Sequence, residues 1–128
     1  MSITRISTPN APKPGGHYAQ ATVHNGTVYV AGQLAFDPAT GDAMRGTIEE
    51  QTERTLRNVE AILHAAGSDF AHMLKVNIYV TDIALWPRVN ATYAKVVGNE
   101  APARAVVPVP ALNHGLLIEI DAVAAVKS

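Results

Sequence analysis

Apolar residues recur along this chain with two rhythms, and each switch between them marks an element. From Ala21 to Val30 the pattern is extended, with Ala21-Thr22-Val23-His24 and Thr27-Val28-Tyr29-Val30 flanking Asn25-Gly26. Asn-Gly suits a two-residue type I′ turn because both central residues need positive φ, so this stretch predicts a β-hairpin. From residue 47 the period lengthens to that of a helix: Ile48, Thr52, Leu56, Val59, Ile62 and Leu63 share one face. Thr47 and Glu50 fit a capping box at its start, and Gly67 supplies its stop. From Met73 to Val80 the period shortens to two. Leu74, Val76, Ile78 and Val80 fall on one side, and Lys75, Asn77 and Tyr79 on the other, which predicts a strand. Asp82 is placed to cap a second helix, with Pro87 in its first turn, Trp86, Val89, Tyr93 and Val96 along its apolar side and Gly98 at its end. Ala103 to Val107 and Leu116 to Val126 read as closing strands around a loop that contains Pro108, Pro110, Asn113 and Gly115.

The resulting order, ββ-α-β-α-ββ, predicts an α+β fold in one domain spanning residues 1–128, with two helices on one face of a sheet. Residues 8–17 are too rich in proline and glycine for a helix and read as a loop, and residues 37–42 as a second turn-rich connection. In the last strand Ile118, Ile120 and Ala122 face one way, and Glu119, Asp121 and Val123 the other. If helices cover the first face, the second meets solvent or another subunit; Leu117, Val123 and Ala125 favour a subunit interface.

Composition sharpens this picture. The chain has 128 residues, of which 48% are hydrophobic and 16% charged, a low charge content for a small domain with much surface to cover, so an oligomer is expected. The net charge is −1 and there is no basic run, so neither a nucleic acid nor an anionic membrane is an expected partner. The absence of cysteine removes disulfides, thiol nucleophiles and thiolate metal sites. No leader-like segment or long apolar run is present, which points to a soluble, cytoplasmic protein, and the two sequons at Asn25 and Asn90 read as accidental.

Most routes to chemistry close quickly. Five scattered histidines, none paired at i, i+4 on a helix, argue against a metal site. No glycine-rich segment links a strand to a helix, and the serines occupy termini or a turn. What remains is Arg104 in Pro102-Ala103-Arg104-Ala105-Val106 and Glu119 in Leu117-Ile118-Glu119-Ile120-Asp121, two charges in segments that otherwise read as buried β-structure, together with Tyr18 and Asn90. Such charges must be paired, wet or functional. A structural ion pair or a solvated strand face would account for them. So would a site in which an arginine fork grips a carboxylate while a glutamate orients or deprotonates a water.

At these residues the chain strongly resembles the Rid family (reactive intermediate deaminase, YjgF-like). The resemblance runs nearly end to end, through Gly16-His17-Tyr18-Ala19-Gln20-Ala21, Tyr29-Val30-Ala31-Gly32-Gln33-Leu34, residues 51–67, Val89-Asn90-Ala91-Thr92-Tyr93, Pro102-Ala103-Arg104 and Ile118-Glu119-Ile120-Asp121-Ala122-Val123-Ala124. It implies a chorismate-mutase-like subunit with a six-stranded, mostly antiparallel sheet, assembled as a homotrimer with clefts between subunits. It also implies hydrolysis of enamine/imine intermediates derived from amino acids to 2-oxo acids and ammonia, a metabolite-detoxifying reaction that needs no cofactor. By the same resemblance Arg104 would hold the substrate carboxylate and Glu119 would position the attacking water. Tyr18 and Asn90 would line the cleft, and Gly32 would let the backbone approach the ligand.

Two positions depart from the family pattern: Ala31 stands where a serine is usual, and Val106 where a cysteine is frequent. If that cysteine acts through its backbone carbonyl, Val106 keeps the group. Both changes imply a more apolar cleft and a substrate bulkier or less polar than 2-aminoacrylate. Two other functions stay open: a non-catalytic small-carboxylate binding or regulatory module on the same scaffold, and RNA cleavage, an activity attributed to some family members. The net charge and the lack of a basic stripe weigh against RNA cleavage.

Overall fold

Six strands and two helices organise the chain, whose computed structural model describes residues 2–128. The strands are β1 (Thr4–Ile6), β2 (Ala21–His24), β3 (Thr27–Gln33), β4 (Met73–Val80), β5 (Ala103–Pro108) and β6 (Ile118–Ala125); the helices are α1 (Ile48–Ala65) and α2 (Trp86–Val97). They form one sheet in the order β1-β2-β3-β6-β4-β5. Only β4 and β5 run parallel, because α2 is the crossover between them; every other pairing is antiparallel. The α+β architecture predicted from the sequence is therefore observed.

Local chemistry explains the boundaries. The β2–β3 hairpin turns on Asn25 and Gly26, at φ 51° and 77°, so both central residues adopt the left-handed conformation that Asn-Gly tolerates. At the start of α1 the Thr47 hydroxyl accepts the Glu50 N–H at 3.1 Å, while the Glu50 carboxylate accepts the Thr47 N–H at 2.8 Å. Both bonds satisfy amides that a helix start otherwise leaves without partners. One strand escaped the sequence reading: β1 is three residues long and largely exposed, too short for a period to show.

Two further expectations are corrected. Leu74 is 52% exposed and Met73 is buried in its place, because the β4–β6 register shifts between Met73 and Lys75 and turns the strand's first residues over. Asp82 caps a short 3₁₀ turn, Ile83–Leu85, by accepting the Ala84 N–H at 2.9 Å. The second helix starts after that turn, at Trp86, with no side-chain cap.

The core lies between the helices and one face of the sheet. Val28, Val76, Ile78, Val80, Ile118 and Ile120 pack from the strands against Leu56, Val59, Ile62, Leu63 and Val89 from the helices, all at most 1% exposed. Full burial of each such side chain stabilises the fold by about 1.5–3 kcal/mol. The opposite face carries Tyr29, Asn77, Tyr79, Glu119, Asp121 and Val123. In β6 the alternation is strict: Ile118, Ile120, Ala122 and Ala124 are buried, and the residues between them are half-buried.

Candidate active site

Glu119 sits in the middle of β6 on the helix-free face, with Tyr79 of β4 as its register partner. On its other side β3 passes through an irregularity between Val30 and Gln33, which carries Ala31 and Gly32. A Cβ at Gly32 would run into the Glu119 carboxylate, whose Cδ would lie 3.0 Å away. Glycine is thus what makes room for Glu119. The carboxylate is half-buried and, among the described residues, has no hydrogen-bond or salt-bridge partner. Burial, and then the nearby Asp121 charge, raise its pKa above the ordinary glutamate value. Asp121 itself is well paired: it accepts the Asn77 amide and the Tyr79 hydroxyl, each at 2.9 Å.

Gly32 also lines an open cleft of about 670 Å³ with Lys13, Tyr18, Phe36, Asn113 and His114. Tyr18 is 53% exposed, and its hydroxyl accepts the Gly15 N–H at 3.2 Å. The loop that carries it is pinned by buried Gln20, whose side chain bonds the backbone of Thr8, Ala11 and Pro12. Across the cleft His114 holds φ 60° and meets Phe36 edge-on at 5.3 Å between ring centroids. The His114 carbonyl accepts the Arg45 Nε–H at 2.8 Å.

Arg104 lies elsewhere. Its register with Val76 places it on the helix side of the sheet, and β5 is the edge strand, so the residue is exposed instead of lying in the buried β-structure its neighbours predicted. Its guanidinium lies over two rings of α2, with Cζ 4.8 Å from the Trp86 centroid and 4.7 Å from that of Tyr93. Its Nη2 donates to the Asn90 side-chain oxygen at 2.9 Å. Among the described residues no carboxylate pairs with it. Val106, two residues on, registers with Ile78 and packs its side chain against the core.

The residues singled out in the sequence therefore form two groups. Arg104 and Asn90 meet at α2, with Val106 beyond them on the same strand. Glu119, Gly32 and Ala31 meet at β3–β6, with Tyr18 on the adjoining cleft. The groups occupy opposite faces. The register through β4 separates Arg104 from Glu119 by two strand spacings and three residues, about 10 Å in each direction. One chain does not close both charges around one small molecule. Trp86 and Tyr93, whose spacing predicts core, are also the neighbours of the arginine, which that spacing does not mark. The signal was an asparagine, Asn90, inside an otherwise apolar helical stripe. Nothing in the sequence marked Phe36 or His114. Among the described residues no three His, Asp or Glu side chains gather as a metal site would require, and no helix is long and apolar enough to cross a membrane.

Comparison with known proteins agrees with this architecture. The profile of the family described as endoribonuclease L-PSP matches residues 8–126. A RutC family protein of Pyrococcus horikoshii is 42% identical over 119 residues, covering 93% of this chain and 94% of its own. The human protein named 2-iminobutanoate/2-iminopropanoate deaminase is 40% identical, over 93% of this chain and 87% of its own. The crystal structure of the Rid family protein YyfA from Yersinia pestis superposes with a TM-score of 0.94 at 40% identity, covering 98% of this chain and 100% of that one.

Proposed function

We propose, for a chain that belongs to the endoribonuclease L-PSP (Rid, YjgF-like) family, that it hydrolyses imines of small 2-amino acids to 2-oxo acids and ammonia. The observation that carries this reading is Glu119: a half-buried carboxylate with no partner among the described residues, raised in proton affinity and held over Gly32 beside an open cleft. A carboxylate that only stabilised the fold would be paired, as Asp121 is. The resemblance to a relative named for 2-iminobutanoate and 2-iminopropanoate deamination supplies the substrate class.

In this reading ionised Glu119 accepts a proton from a water as the water oxygen attacks the imine carbon. Protonated Glu119 passes that proton to the substrate nitrogen, giving the neutral carbinolamine. It then takes the carbinolamine hydroxyl proton and delivers it to the same nitrogen as the C=O bond forms and the C–N bond breaks, so that ammonia leaves and Glu119 is again ionised. Arg104 fixes the substrate through its carboxylate, with planar paired donors that match the anion. An enamine reaches the same intermediate once it tautomerises to the imine. Because the two groups lie on opposite faces of one chain, the site is completed in a homotrimer. There the Arg104 edge of one subunit meets the Glu119 face of its neighbour. No cofactor, nucleic acid or membrane takes part.

Complementation tests this directly. Arg104→Ala and Glu119→Gln should each be nearly inactive on imines generated in situ by an amino-acid oxidase. Co-expressed as mixed trimers they should regain activity. Random assembly pairs an intact arginine with an intact glutamate in about a quarter of interfaces. No recovery in verified mixed trimers would place both groups in one subunit's site and refute the interfacial arrangement. Wild-type protein that binds 2-oxo acids without releasing ammonia would instead favour the non-catalytic binding module.

A further inference from the structure

Trp86, Asn90 and Tyr93 lie at i, i+4 and i+7 on α2, so they share one face and rise along it toward the C-terminus. Two helical turns separate the aromatic residues, about 10.5 Å along the axis. A guanidinium midway between them would sit near 5 Å from each ring, and Arg104 is found at 4.8 and 4.7 Å. Asn90 lies between the rings and takes a hydrogen bond from Nη2 at 2.9 Å. The arginine is thus constrained by two ring faces and one amide, while the rest of its planar donor edge remains open on an exposed strand. An arginine on an edge strand otherwise samples many rotamers, and ordering it on binding costs affinity. Here the ordering is done before any ligand arrives.

We infer that Trp86 is a positioning residue: with Tyr93 it clamps Arg104 in a fixed orientation, so that a small carboxylate docks on a guanidinium already aligned. This inference rests on the proposed function for the identity of the ligand, but not for the clamp itself. The chain has a single tryptophan. Its emission therefore reports on the surroundings of this one residue, the Arg104 guanidinium among them.

The test has two arms. In the first, with no ligand present, Arg104→Ala should shift the emission maximum and near-ultraviolet circular dichroism of Trp86, with Arg104→Lys intermediate. Spectra that do not change would mean that the guanidinium does not rest on the ring, and would overturn the clamp whatever the protein binds. In the second, Trp86→Leu should raise KM for the imine and Kd for pyruvate roughly three- to tenfold, the scale of a cation–π contact. kcat should change less than about twofold and Trp86→Phe should recover much of the loss. Melting temperature and trimer mass are followed in parallel. If Trp86→Leu keeps wild-type KM and Kd while folded, or loses kcat alone, the positioning role is refuted. A wild-type protein that neither hydrolyses imines nor binds pyruvate would refute the proposed function, while the spectral arm still decides the clamp.

Discussion

The two charged groups of the candidate site are kept available by opposite means. Arg104 stands on an edge strand, exposed, its charge solvated and its motion restrained by aromatic faces. Glu119 stands on a central strand, half-buried and without a partner among the described residues, its proton affinity raised by burial and by a neighbouring carboxylate. The first arrangement suits a group that must hold a permanent charge in one orientation. The second suits a group that must take up and release a proton near neutral pH, which an ordinary exposed glutamate does poorly. Under the proposed function, binding and proton transfer fall to different faces of the sheet, and substitutions on the two faces should differ in kind as well as in size.

The largest effect is expected at the half-buried charge. Glu119→Gln keeps the shape and can still hold a water but cannot accept its proton, so kcat should fall by about 10²–10⁴-fold with KM nearly unchanged. Arg104→Ala should act mainly through KM. It should leave melting little altered, because no carboxylate among the described residues loses a partner. If both variants lowered kcat equally without moving KM, the division between the faces would be lost.

Gly32→Ala sharpens the same contrast from the backbone. The φ of Gly32 lies outside the left-handed region, so alanine brings no conformational strain there. Its methyl group instead displaces the Glu119 carboxylate. A misplacement of about 1 Å can cost on the order of 10²-fold in rate, so activity should fall steeply while the fold persists. A fully active, correctly folded Gly32→Ala protein would show that the position of Glu119 is not critical.

Asp121→Asn moves the pH dependence. In the proposed mechanism Glu119 acts as a base only when ionised, so its raised pKa should put the acid limb of the kcat/KM profile above the ordinary carboxylate range. Removing the Asp121 charge removes one of the two causes, and the limb should move to lower pH. Burial, the larger cause, keeps it from returning to the ordinary value. Stability follows the matching sign. A carboxyl group whose pKa is higher in the folded than in the unfolded protein makes the fold lose stability as pH rises from the ordinary value through the raised one. That loss should shrink in Asp121→Asn. This face also carries Lys75 and Tyr29, both opposite Val123; the groups in register beside Glu119 are Asp121 and Tyr79, and that tyrosine is itself held protonated by burial and by its bond to Asp121. An unmoved acid limb would leave burial as the sole cause.

The unequal legibility of the two regions has a physical reason. Periodicity and capping are local, so the hairpin at Asn25-Gly26, the capping box at Thr47 and the alternation of β6 were readable from neighbours in sequence. β1 was not, being three residues whose only order comes from pairing with β2. The inversion at Leu74 was equally hidden, because a register shift belongs to the partner strand as much as to its own. At the site, residue type marked Arg104 and Glu119, but their faces depended on strand order. Two odd-looking charges on neighbouring segments of sequence are two strands apart and on opposite sides once β6 inserts between β3 and β4. Trp86 and Tyr93 carried the right helical spacing for core, and Tyr93 is in fact buried. Only the parallel pairing of β5 to β4 reveals that the same stripe also meets an arginine.

The smallest effects are expected at the two departures from the family pattern, which the structure places in different surroundings. Ala31 lies in the β3 irregularity next to Gly32, half-buried, with its N–H donated to the Gln20 carbonyl at 2.9 Å. Ala31→Ser would add a hydroxyl beside the Glu119 region, and one neutral hydrogen bond is worth about 0.5–1.5 kcal/mol net. The kcat/KM ratio for 2-aminoacrylate over the imines of larger apolar amino acids should therefore rise, by at most about tenfold. Val106 turns its side chain to the helix side and packs against the core. Val106→Cys should leave that ratio unchanged and appear only as a modest change in melting, since near-isosteric apolar exchanges cost less than about 1.5 kcal/mol. Relative rates over a panel of oxidase-generated imines measure both. A shift with cysteine at 106 and none with serine at 31 would move substrate discrimination to the arginine face, and would overturn the assignment of that face to holding the carboxylate alone.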